Sequence, residues 1–107
     1  MESYPPLGKN KAIIAYITFV GMLIAYFMNR DEKHEFATYH IKNMFGLVLL
    51  LFISQVTQAN IHLLAGEILW LFSSIFWLYS LLMAFDNKKK GIPWLSEKFQ
   101  EWFTFLN

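Results

Sequence analysis

The stretch at residues 61–85, IHLLAGEILWLFSSIFWLYSLLMAF, decides how this chain is built. It runs for about 25 residues broken only by His62 and Glu67, enough at about 1.5 Å per residue to cross a bilayer with some tilt. Apolar residues surround the whole helix instead of forming one stripe, which does not suit a helix of a soluble bundle. Toward the N-terminus, residues 12–29 read AIIAYITFVGMLIAYFMN, about 18 residues without a charge and roughly 27 Å of helix. Between these runs, residues 44–56, MFGLVLLLFISQV, are too short alone. Extended back through FATYHIKN to Phe36 they give about 21 residues whose opening is amphipathic, with His40 and Lys42 at a headgroup boundary.

The sequence therefore predicts an all-α integral membrane protein. Residues 12–86 form a transmembrane domain of three helices, at about 12–29, 36–57 and 61–86. An N-terminal tail, 1–11, precedes it, and a basic linker with an amphipathic helix, 87–107, follows. Composition bounds the alternatives: 107 residues, 56% hydrophobic and 16% charged, leave one domain and exclude disorder. A soluble domain of this size could not bury the first and third runs entirely. A formal charge of +1 offers no basic excess for nucleic acid, and the absence of cysteine removes disulfides, thiolate metal sites and thiol nucleophiles. Lys9 and Lys11 precede the first run as in a signal peptide, but the run is long and is followed by Asn29, Arg30 and Asp31 with no small-residue cleavage site, so it reads as retained.

With three spans, Lys9 and Lys11 fall on one side, and Arg30, Lys33, Lys42, Lys88, Lys89, Lys90 and Lys98 on the other. This bias predicts a multi-pass membrane protein with its N-terminus outside and its C-terminus cytoplasmic. Lys88, Lys89 and Lys90 read as a topology anchor, or as a contact to anionic lipid. Beyond the breakers Gly91 and Pro93, Leu95, Phe99, Trp102, Phe103 and Leu106 recur at helical spacing beside Trp94, with Glu97, Lys98, Gln100 and Glu101 opposite. That pattern suits an interfacial helix, or one that docks on a partner.

Small and polar residues form stripes within the spans: Thr18, Gly21, Ala25 and Asn29 on the first, Asn43, Gly46 and Thr57 on the second, and Gly66, Ser73, Ser80 and Ala84 on the third. Such stripes allow close approach of helices, within the chain or with another subunit. Glu67, one to two turns inside its run, is an intramembrane acid that needs a headgroup, water or a partner, with Asn60 a candidate on the same face. His40 is expected to pair with Asp86 across helices, or else to snorkel. No nucleotide-binding, nucleophile-elbow or zinc-helix motif is present, so no enzyme activity, metal or cofactor is expected.

The stretch from the first run through EFATYHIKNMFG resembles small bacterial membrane proteins related to the chloroplast inner-envelope import component. In that family an apolar helix with a mid-span Gly and a charged loop lead to an aromatic-His-x-[Lys/Arg]-[Gln/Asn] signature with Gly soon after. Tyr39, His40, Lys42, Asn43 and Gly46 occupy those places, Asn43 standing where Gln is commoner, and Lys90-Gly91-Ile92-Pro93 resembles the family's ending after the last span. The resemblance implies a polytopic inner-membrane protein linked to protein translocation. The plastid protein has four spans, so its channel role does not carry over. The expected function is a non-catalytic accessory subunit in the lipid bilayer, bound to a larger membrane protein or to further copies of itself. The alternative is a small oligomeric transporter or channel using Glu67.

Overall fold

A computed structural model of the chain describes residues 7–107, so the first six residues of the expected tail lie outside it. The described residues form five α-helices and a closing 3₁₀ turn, with no strand among them: α1 (Lys9–Ile17), α2 (Phe19–Asp31), α3 (Glu35–Asn60), α4 (Leu63–Phe85), α5 (Leu95–Trp102) and the turn Thr104–Leu106. Only α3 and α4 are long and apolar enough to cross a membrane. At about 1.5 Å per residue they are roughly 39 and 34 Å long.

The α3–α4 pair is a helical hairpin. The Thr57 carbonyl accepts from both Ile61 and His62 N–H (3.0 and 2.8 Å), closing α3, and His62 Nδ1 accepts from Ala65 N–H (3.2 Å), capping α4. Asn87, at φ 63°, ends α4: Lys88 N–H reaches Met83 O (2.9 Å) and Asn87 N–H reaches Ala84 O (3.3 Å). These are the paired bonds of a Schellman motif, with Asn in the left-handed position often taken by Gly. Gly66, Ser73, Ser80 and Ala84 are the buried residues of α4, so the stripe read from the sequence packs inside the chain. Phe76, Trp77 and Leu81 are half-buried against the core, but most of α4 is exposed, with only 17% of its apolar window buried.

The first apolar run is not one helix. It breaks at Thr18, whose backbone is extended at φ −154° and ψ 175°. Lys11 Nζ then bonds the Glu32 carbonyl at 2.5 Å, so the start of α1 lies beside the end of α2 and the two helices run antiparallel. The expected 12–29 span is thus a second, shorter helical hairpin, its arms roughly 14 and 20 Å long. Three side chains hold the fold-back with four hydrogen bonds. Thr18 Oγ1 accepts from Gly21 N–H (3.0 Å), capping α2, and Trp77 Nε1 of α4 donates to the Tyr16 carbonyl (2.7 Å), which the break has freed. At the base, buried Asn29 uses both ends of its amide, donating to Thr38 Oγ1 (2.8 Å) and accepting from His34 N–H (2.9 Å). Thr18 is exposed at the tip and does not pack with the stripe, whereas Gly21, Ala25 and Asn29 are buried as expected.

One consequence is that Lys9 and Lys11 share an end of the molecule with Arg30, Lys33 and the later basic residues, against the two-sided split read from the sequence. Every Lys and Arg lies toward the end where α3 begins and α4 finishes. The other end carries Gln58, Asn60, His62 and Glu67.

Candidate functional site

Among the described residues, a group of buried polar side chains gathers where α1, the opening of α3, the linker after α4 and α5 meet. Four side chains form one chain of hydrogen bonds. His40, on the second turn of α3 and fully buried, directs Nε2 at the Lys88 carbonyl (2.9 Å). A carbonyl only accepts, so Nε2 carries the proton and Nδ1 accepts from the Tyr16 hydroxyl (2.6 Å). That hydroxyl accepts in turn from Asn43 Nδ2 (2.9 Å), one helical step beyond His40. Asn43 Oδ1 accepts from Ser96 Oγ on α5, and Ser96 Oγ accepts from Ile92 N–H at 2.8 Å. Each of these groups is used and the imidazole is neutral, as a dry polar network requires. Phe36, Tyr39 and Tyr16 enclose the His40 ring edge-on, their centroids 4.7, 5.2 and 5.3 Å away.

Two glycines make this junction possible. A Cβ on Gly46 would overlap the Phe99 ring, which seats α5 on α3, and a Cβ on Gly91 would overlap Ser96. Phe103 stacks beside Phe99 at 5.7 Å and meets Phe45 edge-on at 4.9 Å. Of the residues expected to make the apolar face of this helix, Phe99 is buried, Leu95, Phe103 and Leu106 are half-buried, and Trp94 and Trp102 face outward. Trp94 sits at φ 69° with Leu95 N–H bonded back to Pro93 O (2.8 Å), a γ-turn that a bulky residue rarely adopts.

Of the expected cluster, His40 and Asn43 join the network, the Tyr39 ring packs on His40 and Gly46 seats Phe99, while Lys42 turns to Asn107 and Asp86 stays apart. The His40–Asp86 pair does not form: Asp86 pairs with Lys88 Nζ at 3.3 Å in solvent, while His40 takes a backbone acceptor two residues further on. Helix end geometry decides this, because the αL turn at Asn87 carries the Lys88 carbonyl to the ring. Tyr16 and Ser96, at the centre of the network, were not singled out by the sequence. Tyr39 stays outside it, giving its carbonyl to Gln100 Nε2 at 2.8 Å.

Glu67 is exposed on α4 with no partner among the described residues, 18 residues before Phe85 and so roughly 27 Å from the basic end. Asn60 does not reach it: Asn60 ends α3 and donates to Val56 O at 3.2 Å. Ser73 Oγ bonds back to Leu69 O at 2.8 Å, and Ser80 Oγ is buried without a partner; both face the interior, away from Glu67. No group of three His, Asp or Glu side chains converges among the described residues.

Two recesses flank the junction. Below the tip of the α1–α2 hairpin an apolar groove of about 470 Å³ opens sideways between α3 and α4, lined by Ile17, Phe19, Val48, Phe52, Trp70 and Trp77, with Thr18, Gln55 and Ser74 as its polar members. At the basic end a cleft of about 360 Å³ holds Lys33, Lys42 and Lys89. No protein-family model, curated protein or solved structure matches this chain.

Proposed function

We propose that this chain is a non-catalytic membrane protein that crosses the bilayer twice, inserts the α1–α2 hairpin half-way from the basic side, and serves as an accessory subunit of a larger membrane assembly. The observation that carries the reading is the uncovered apolar surface. Phe52, Ile53 and Val56 on α3, Leu64, Ile68, Leu71, Phe72, Ile75, Leu78 and Leu82 on α4, and Phe19, Leu23, Ile24 and Phe27 on α2 are all exposed. A side chain of this kind gains about 1.5–3 kcal/mol on leaving water, and so large an apolar patch on a monomer marks a lipid or partner surface. Broken helices are tolerated at membrane depth when the break is packed against protein or lines a cavity, and the break at Thr18 does both. The gathering of all the basic residues at one end favours that end as cytoplasmic, which brings the N-terminal side of α1 to the cytoplasm together with the C-terminus.

The sideways groove supports the subunit reading: a slot between two spans, apolar with a few polar atoms at mid-depth, suits a partner's transmembrane helix. A link to protein translocation rests on the signature resemblance alone. For the transporter reading no observation brings Glu67 to a cavity, and Glu67→Gln is expected to leave abundance and assembly unchanged. The test is a mild-detergent pull-down of the tagged protein from its native membrane. A stoichiometric larger partner supports the proposal, whereas a pure homo-oligomer that loses ion flux in Glu67→Gln replaces it with the transporter.

A further inference from the structure

We infer that the cleft at the basic end is a binding site for a phosphate group, and that in the membrane it takes the headgroup of an anionic phospholipid. The cleft lies between the first turns of α3, the linker after α4 and the closing 3₁₀ turn. Its floor is Lys42, only 6% exposed although it carries a charge. Lysine is almost never buried without an anionic partner. Yet among the described residues Lys42 Nζ has only the neutral amide oxygen of Asn107, at 2.6 Å. Lys33 Nζ comes to the same residue, donating to the Asn107 main-chain oxygen at 3.0 Å. Lys42 and Lys33 thus both reach oxygens of Asn107, one of its side-chain amide and one of its main chain, an arrangement that two oxygens of a phosphate reproduce. Lys89 and Glu35 line the cleft too, three lysines against one carboxylate, and the Lys89–Glu35 contact, at 3.4 Å, is solvent-exposed and weak. Gln100 and Thr38 supply uncharged polar groups on the walls.

The level of the cleft in the fold selects the lipid. His40 meets Lys88, so the last turn of α4 stands beside Lys42, and the apolar part of both long helices begins there. Exposed Trp94, Trp102 and Phe105 lie in the same layer, the depth at which aromatic side chains meet headgroups. The site therefore lies where lipid phosphates lie, and to that extent it rests on the membrane reading.

The test uses the full chain in a neutral detergent, following thermal melting against added phosphatidylglycerol, phosphatidylcholine and inorganic phosphate. Phosphatidylglycerol is expected to raise Tm saturably and phosphatidylcholine not to. The exposed pair Lys33→Ala/Lys89→Ala is expected to raise the half-saturating concentration at least about tenfold, and Lys42→Met to abolish the effect, while Lys88→Ala/Lys90→Ala changes it less than about twofold. Because Lys42→Met can fail to fold, the exposed pair alone decides. A saturable response to inorganic phosphate with the same variant pattern, and none to the lipid, keeps the phosphate site but assigns it to a free anion and speaks against the membrane placement. No response to either, or equal loss in the two lysine pairs, overturns the site, since the second result is what diffuse charge gives.

Discussion

Tyr16 joins His40 to Asn43 at the middle of the junction. Tyr16→Phe leaves the ring in place but strands His40 Nδ1 and Asn43 Nδ2, both buried. Leaving such a group unpaired costs about 1–3 kcal/mol, and a detergent melting curve is expected to show a loss of that size. Asn43→Ala is expected to cost a similar amount, and the double variant less than the sum, because the two share one bond. At Gly46, replacement by Val displaces Phe99 and is expected to release α5, read as faster proteolysis between residues 88 and 95 with the spans intact. The sequence made the opening of α3 legible because polar residues at the start of an apolar run have few bland explanations. It hid Tyr16 inside an apolar run whose partner lies 24 residues on; the available signal was a tyrosine hydroxyl in a span, which needs a partner when buried. Pairing His40 with Asp86 weighed charge against charge, and backbone carbonyls freed at helix ends cannot be read from residue letters.

At the scale of elements, α3, α4 and α5 were legible to within a few residues because run length, the Gly91–Pro93 break and helical periodicity each pointed the same way. The division of α1 from α2 was not. No Gly or Pro stands at the break, and each arm alone has the composition of a membrane helix; the fold-back depends on Trp77, which bonds the Tyr16 carbonyl from 61 residues further along the chain. The chain lacks cysteine, so single cysteines at Asn10, Lys33 and Asn60 report topology directly. An impermeant maleimide is expected to label the first two from the same side and the third from the opposite one. Labelling of Asn10 from the side of Asn60 would restore a continuous first span. Thr18→Val removes the α2 cap and is expected to cost about 1 kcal/mol in the same melting assay, without changing the labelling pattern.

For the whole molecule, the exposed apolar belt implies that the protein stays with membranes through an alkaline carbonate wash; release into the supernatant would contradict its placement in a bilayer. The described residues extend over 46 × 31 × 23 Å, the long dimension enough for a bilayer and part of its headgroups. Along it the cross-section changes. Near the basic end the α1–α2 hairpin and α5 pack against α3, whereas beyond the tip of the short hairpin only α3 and α4 continue. The two monolayers of a membrane holding this chain are therefore asked to give up unequal areas, several helices' worth on one side and two on the other. In the proposed placement such a wedge is accommodated at least cost where the membrane already bulges toward the basic side, so the stop at Thr18 would set a preference for curvature that no residue encodes alone.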